Sequence, residues 1–401
     1  MIAQWKSHSQ HRPLHIILLF IFLATIYSIY ALLRPLPPIS PQDSITPPKM
    51  KVLPPALMWP NWGSAAIGTP DWGVLATTDN IPRPTASTIK LLTALAVVQT
   101  KPIPPDGQGE KLTLNARDVD LYNAELARDG SVVPVKEGEA ITERQALEAL
   151  LLPSANNIAS TLALWIYGSM PAYFNAVNQL AISLNMHSTH LVDASGFSSL
   201  TTSTPHDLVE LGIAALNNPV IASIMSEKSA MIPVAGTIYN INGLLGVDNI
   251  IGGKTGNTPE AGGCFIGISH FQEEGHAFTV VSAIMGAPSL ALALSMTPPL
   301  NSSVEQNTVT TPIVAKGEAI AAYSVPWSTT SFHAIATKEI APLRWTNQPA
   351  DIAIHAIPAS IGQQSVGELT VILNGVQYTD TLELDRAIPP PPLTWRLLHV
   401  F

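Results

Sequence analysis

The 401 residues contain a single cysteine, Cys264, so no disulfide can form within the chain. Its setting, Gly263-Cys264-Phe265-Ile266, reads as a strand interior in which the thiol is a small buried hydrophobe. Charge is scarce as well: Asp, Glu, Lys and Arg make up 12% of the residues, against the usual roughly 25%. The formal net charge is −9, and no basic patch marks a nucleic-acid partner. The histidines, His187 and His190 among them, lack partners at metal-ligand spacing, so neither a metal nor a cofactor is implied. No sequence segment repeats.

Proline is abundant instead, with 35 residues where roughly 5% is ordinary. Eight of them fall between Pro35 and Pro55, and this stretch reads as a semi-rigid polyproline spacer. Before it, an uncharged run from Pro13 to Leu33 is about 20 residues long, enough to cross a bilayer as a helix. The run exceeds the roughly 7–15 apolar residues of a secretory signal, and its end, Ser28-Ile29-Tyr30-Ala31-Leu32, offers no small-x-small cleavage site. It reads as an uncleaved anchor. Lys6 and Arg12 hold the N-terminus in the cytoplasm, and Arg34 weakens that bias without reversing it, so the rest of the chain is expected on the extracytoplasmic side.

The expected organisation is a cytoplasmic stub and transmembrane anchor over 1–34, a Pro-rich linker over 35–55, an α/β (α+β) domain over 56–300, and a small all-β domain over 309–401. In the α/β part, Ala65–Ile67 and Trp72–Ala76 read as a hairpin. Helices are expected at Ser87–Thr100, Thr142–Leu152, Ile158–Tyr167 and Pro171–Leu184, the second opening on a Thr142/Gln145 capping box. Gly263–Ser269 and Ala277–Met285 read as strands. The polar, Pro-containing stretch from Met296 to Thr308 reads as a boundary. Beyond it, Asn374-Gly375 between two apolar runs marks a hairpin.

Three short motifs carry chemistry. Ser87-Thr88-Ile89-Lys90 opens a helix, which places the hydroxyl and the amine one turn apart on one face. A serine hydroxyl needs a base, and a lysine serves only when burial or a second cation keeps it neutral. On its own the spacing is equally that of an N-cap serine and a surface lysine. Ser154-Ala155-Asn156 follows Pro153 between two helices, and offers a proton relay and a peptide-gripping amide, or simply a capping turn. Lys254-Thr255-Gly256-Asn257 precedes the Gly263 strand, where an exposed edge can take up an extended peptide. A phosphate loop is excluded, because it requires glycine at position 248, which is Asp248.

Together, and in this order, the motifs resemble the Ser-x-x-Lys, Ser-x-Asn and Lys-Thr-Gly trio of low-molecular-mass penicillin-binding proteins of the serine D-alanyl-D-alanine carboxypeptidase type. Asp193-Ala194-Ser195-Gly196, Ser203-Thr204 with Asp207-Leu208, and Thr258 to Gly262 extend the resemblance over roughly 56–286. It implies a serine D,D-peptidase/β-lactamase-like fold and a substrate that is a peptidoglycan stem peptide ending in D-Ala-D-Ala, with β-lactams as inhibitors. By the same resemblance Ser87 is the nucleophile, Lys90 its base and Ser154 the proton relay tuned by Lys254. Asn156 binds the peptide, Thr255 the terminal carboxylate, and the backbone of Ser87 and Asn257, beside Gly256, the oxyanion. The chain departs from the pattern at Ala155, at His206 and Thr279, where many relatives carry basic residues, and at Val177-Asn178. A class A β-lactamase needs a deacylating glutamate after the second motif, and none occurs from Ala155 to Val209. A D,D-endopeptidase or transpeptidase of the same fold stays open, and so does a non-catalytic wall-binding protein.

Overall fold

The β-branched and apolar runs after the Lys-Thr-Gly motif form two long strands, Gly262–Glu273 and His276–Ala287, at the centre of a five-stranded antiparallel sheet. The structure is a computed structural model that describes residues 12–42, 54–273, 276–346 and 348–399. It divides into two compact units, Pro54–Thr308 and a second made of the N-terminal 53 residues with Val309–Phe401.

In the first unit the strand order is Ile250–Thr258, Gly262–Glu273, His276–Ala287, Ser64–Thr69, Gly73–Thr77. The Ser64–Thr69 and Gly73–Thr77 pair is the expected hairpin, and it closes the sheet against the last strand. Both faces of the central strands are covered. Gly212 of the Pro205–Asn217 helix sits so close that a Cβ there would lie 2.5 Å from Val281 and 2.9 Å from Ile266. On the other face, a Cβ on Gly267 would lie 2.5 Å from Thr297. Two-sided cover is why these strands are apolar at nearly every position instead of alternating.

Thr297 belongs to a helix, Leu290–Glu305, where the sequence reads as a boundary. Pro298 and Pro299 lie inside it, and each removes one i→i−4 donor. The helix persists because Ala293, Thr297, Leu300 and Val304 are buried. The unit therefore runs past residue 300. The other helices start near their expected positions. Thr142 caps Glu143–Leu151, with the box to Gln145 complete. Lys90–Thr100 is buried on almost every side (Leu91, Leu92, Ala94, Ala96, Val97 and Val98), as a helix at the heart of a core must be.

The second unit holds a six-stranded sheet ordered Pro41–Gln42, Ala319–Tyr323, Phe332–Ala336, Val376–Leu384, Ser365–Leu373, Asp351–Ala356. Asn374 and Gly375, with φ of 51° and 76°, make the tight turn that their sequence announces. The Pro-rich stretch is not a free spacer over its first half. Ile39 is buried and bridges Ala359, and Pro41–Gln42 pairs with Tyr323 and Ala322 at the sheet edge, where proline's missing N–H does no harm. Pro47 and Pro48, like Lys6, lie outside the described residues. The Arg12–Leu33 helix contains the apolar stretch Leu14–Leu33, long enough to cross a membrane. Tyr27 donates to the Leu397 carbonyl at 2.6 Å, and Arg396 to that of Leu32 at 2.6 Å.

Candidate active site

Three separate pieces of the first unit meet at Lys90. Ser87 stands on a 3-10 turn, Ala86–Ile89, that leads directly into the Lys90–Thr100 helix. Ala86 has φ of 45°, outside the helical region, and its carbonyl is pressed against Gly196: a Cβ on Gly196 would lie 1.9 Å from it. Only glycine, here with φ of 74°, allows that approach. Ser154 also sits in the left-handed region, with φ of 67°. Backbone bonds around it hold the turn, Ala155 N to Ala149 O at 3.1 Å and Asn156 N to Ser131 O at 2.7 Å. Strain of this kind persists only where the surroundings enforce it.

Lys254 arrives from the edge strand Ile250–Thr258. It pairs with Ile266, and so points to the same helical face of the sheet. Gly256 lets that strand lie against the Ser87 turn, since a Cβ there would come within 2.9 Å of the Ser87 nitrogen.

The result is a hydrogen-bonded cluster. Lys90 Nζ lies 2.6 Å from Ser87 Oγ, 2.7 Å from Asn156 Oδ1 and 3.3 Å from Ser154 Oγ. Lys254 Nζ donates to Ser154 Oγ at 3.0 Å and to the Thr255 carbonyl at 2.9 Å. Both amines are buried. Burial drives Lys254 down to about 7. Lys90 falls well below its ordinary value through burial and then the charge of Lys254, while Asp193 and Glu125 pull the other way. Both amines are thereby moved toward the neutral form, and Lys90 is the one within reach of the Ser87 hydroxyl. A neutral amine carries two N–H groups and one lone pair. Asn156 Oδ1 can only accept, and Ser154 takes the second N–H, so the lone pair is left for the Ser87 hydroxyl.

Of the remaining expected residues, Gly256 lies against the Ser87 turn and Asn257 is exposed on the strand edge. Thr255 pairs with Phe265, and the pleat turns its side chain away from the face that carries Lys254. The two positions expected to be basic, His206 and Thr279, separate. His206 is partly exposed on the first turn of the Pro205–Asn217 helix, with Nδ1 3.3 Å from Asp207 Oδ1. Thr279 pairs with His270, five residues along its strand from Ile284, the position level with Thr255 through Phe265, which puts it roughly 17 Å away. It is therefore not part of the site.

Two acidic residues support the cluster: Asp193, whose motif the sequence shows without a role, and Glu125, which no motif marks. Asp193 accepts from Ser195 Oγ at 2.7 Å and Phe197 N at 2.9 Å, and also from Thr201, fixing the loop that carries Gly196. Glu125 accepts from Asn156 Nδ2 at 3.1 Å. Its sequence, Glu125-Leu126-Ala127-Arg128-Asp129, looks like the solvated end of a helix, and only the fold turns Glu125 inward. Cys264 is buried, and burial lifts its thiol to about 11, so it is unreactive. No cluster of three metal-ligating side chains occurs among the described residues.

Known proteins match this chain over the same region. Residues 74–289 match the family described as Peptidase_S11, D-alanyl-D-alanine carboxypeptidase. A curated D-alanyl-D-alanine carboxypeptidase of Mycobacterium tuberculosis is 38% identical over 48% of this chain and 65% of its own length. A D-alanyl-D-alanine endopeptidase of Escherichia coli is 31% identical over 46% of this chain and 58% of its own. The match thus spans less than two thirds of either relative. Among solved structures, a D-alanyl-D-alanine carboxypeptidase from M. tuberculosis superposes with a TM-score of 0.53 at 30% identity, covering 66% of this chain and 95% of that one. The DD-transpeptidase of Streptomyces K15 gives 0.54 at 25% identity, covering 63% and 98%.

Proposed function

We propose that this chain, which belongs to the D-alanyl-D-alanine carboxypeptidase family of serine peptidases, removes the terminal D-alanine from peptidoglycan stem peptides. The observation that carries the reading is the continuous line of hydrogen bonds Ser87–Lys90–Ser154–Lys254. Ser87 Oγ attacks the carbonyl carbon between the two D-alanines as Lys90 takes its proton. The developing oxyanion meets the backbone N–H groups of Ser87 and Asn257, in a role typically worth a factor of about 10²–10³ in rate per donor. As the C–N bond breaks, Ser154 gives its proton to the departing amine and takes up the one that Lys90 received from Ser87, with Lys254 holding and polarising the Ser154 hydroxyl. Water then attacks the ester, gives a proton back through Lys90, and frees Ser87.

The substrate enters as an added strand along the edge of Ile250–Thr258, with Asn156 on a peptide group. Thr255 is the proposed partner of the terminal carboxylate, and Asn257, two residues on and so on the same face of the strand, is exposed beside it. β-Lactams enter by the same acylation. The Leu14–Leu33 stretch serves as a membrane anchor that leaves the peptidase on the extracytoplasmic side.

The test is direct. Fluorescent penicillin labels the wild-type protein, and Ser87→Ala abolishes the label. Free D-alanine is released from a pentapeptide substrate. Absence of any label on the wild type would sink the catalytic reading in favour of a wall-binding scaffold. Cleavage confined to cross-linked muropeptides would move the assignment to the endopeptidase, the activity named for the E. coli relative. Mature protein lacking residues 1–33 would overturn the anchor.

A further inference from the structure

Acylation needs the Lys90 lone pair aimed at Ser87, and nothing in the three motifs alone ensures it. The neighbour that decides is Asn156, whose side chain has two unlike faces. With Oδ1 toward Lys90, the amine donates to it and keeps its lone pair for the Ser87 hydroxyl 2.6 Å away. With the amide turned over, Nδ2 would donate to that lone pair, and Ser87 would be left to accept an N–H, the wrong polarity for a nucleophile.

What selects the face is Glu125. Its Oε2 lies 3.1 Å from Asn156 Nδ2, and a carboxylate can only accept. Glu125 is itself buried and gripped by Arg128, whose Nε donates to Oε2 at 2.9 Å and whose Nη2 donates to Oε1. The Arg128 guanidinium lies over the Phe197 ring, 4.4 Å from its centroid, on the loop fixed by Asp193. Gly130 lets the chain close on the pair, because a Cβ there would sit 2.6 Å from Glu125 Oε2 and 2.9 Å from Asn156 Nδ2.

We infer that Glu125 is a positioning residue for acylation: it fixes which face of the Asn156 amide meets Lys90, and thereby points the Lys90 lone pair at Ser87. This rests on Ser87 as nucleophile and Lys90 as its base. Besides Glu125, the charged groups that act on Lys90 are Lys254, from the edge strand, and Asp193. Glu125 and Asp193 both favour its protonated form, so loss of the Glu125 charge lowers the pH at which the amine pair takes up a proton.

The experiment measures the second-order rate of labelling by fluorescent penicillin against pH, on the full-length protein, for wild type, Glu125→Gln and Glu125→Ala. A general base contributes about 10²–10⁴ in rate, and loss of its aim forfeits part of that, so Glu125→Ala slows labelling about 10–100-fold. Glu125→Gln offers one accepting atom where the carboxylate has two, and falls between wild type and Ala. In both variants the acidic limb of the pH profile moves to lower pH. Thermal melts on the same samples separate rate per folded molecule from loss of fold, and Glu125→Gln decides the matter if the Ala variant does not fold. Wild-type rate per folded molecule overturns the inference, and so does a slower rate with an unmoved acidic limb, which marks a structural role only. A wild type that is never labelled, or a Ser87→Ala protein that still is, faults instead the reading on which the inference rests.

Discussion

Two buried lysines a few ångströms from one hydroxyl, Ser154, are costly to fold, and the sign of that cost can be tested. On unfolding, Lys254 returns from about 7 to its ordinary 10.5 and takes up a proton at neutral pH. The unfolded state then binds more protons, so stability rises with pH between roughly 7 and 10.5. The shift from 10.5 to about 7 sets an upper bound of about 5 kcal/mol on the penalty at pH 7. Lys254→Met removes it, and gives up only the bonds to Ser154 and the Thr255 carbonyl. We expect Lys254→Met to melt at a temperature equal to or above that of wild type at pH 7, with the gap closing as the pH approaches 10, while penicillin labelling falls by at least about 100-fold. Calorimetry at the two pH values checks the first part, and a lower melting point at pH 7 would refute it. At this scale the site was legible where chemistry demands a residue type at a fixed local spacing: Ser87 with Lys90, Ser154 with Asn156, Lys254 with Gly256. Glu125 was not legible, because its partner Asn156 is 31 residues away in sequence and its own neighbours look like a charged helix end.

Among the elements, the 3-10 turn carrying Ser87 depends on a loop that makes no use of its side chain. A Cβ on Gly196 would fall 1.9 Å from the Ala86 carbonyl, so Gly196→Ala must displace either the Asp193–Thr201 loop or the Ser87 turn. Gly138 is the control. Its φ of 79° is as unfavourable for alanine as the 74° of Gly196, but a Cβ there meets nothing within 4 Å. Both variants carry the left-handed penalty of about 1–2 kcal/mol. Only Gly196→Ala should add a steric cost of a further 1–3 kcal/mol and slow acylation. Urea denaturation read alongside penicillin labelling separates them, and equal effects from the two variants would show that the Gly196 contact does not matter. Element by element, capping and periodicity predicted the Glu143–Leu151 helix and the two central strands well. The Leu290–Glu305 helix was missed because Pro298-Pro299 is a strong local stop signal, and the burial that overrides it comes from strands distant in sequence.

At the level of the whole chain, sequence order and spatial order part company at Ile39 and Pro41–Gln42. Composition assigned this stretch to a spacer, since prolines read alike whether they are solvated or lie on a sheet edge. The register with Ala322, Tyr323 and Ala359 makes it part of the β unit. The peptidase unit is, by contrast, continuous. Pro54–Thr308 closes its own five-stranded sheet, its helix Leu290–Glu305 covers the sheet's second face, and Ser87, Lys90, Glu125, Ser154, Asn156, Asp193 and Lys254 all lie within it. Its N-terminal segment is tied to the end of that helix, with Ala56 N donating to Asn307 Oδ1 at 3.1 Å and Met58 N to Ser303 Oγ at 3.2 Å. A chain of residues 54–308 should therefore fold as a soluble protein and be labelled by penicillin within a few-fold of the full-length rate. A chain of residues 54–300 cuts the Leu290–Glu305 helix after Leu300, removes the buried Val304, the Asn301 bond to Ser269 and the ties to Ala56 and Met58, and should be less stable and label more weakly than 54–308. Parallel expression of the two truncations, read by thermal melting and by fluorescent penicillin, tests this. If 54–308 is folded but unlabelled, the site is incomplete without the β unit, and the residues named here are not sufficient for acylation.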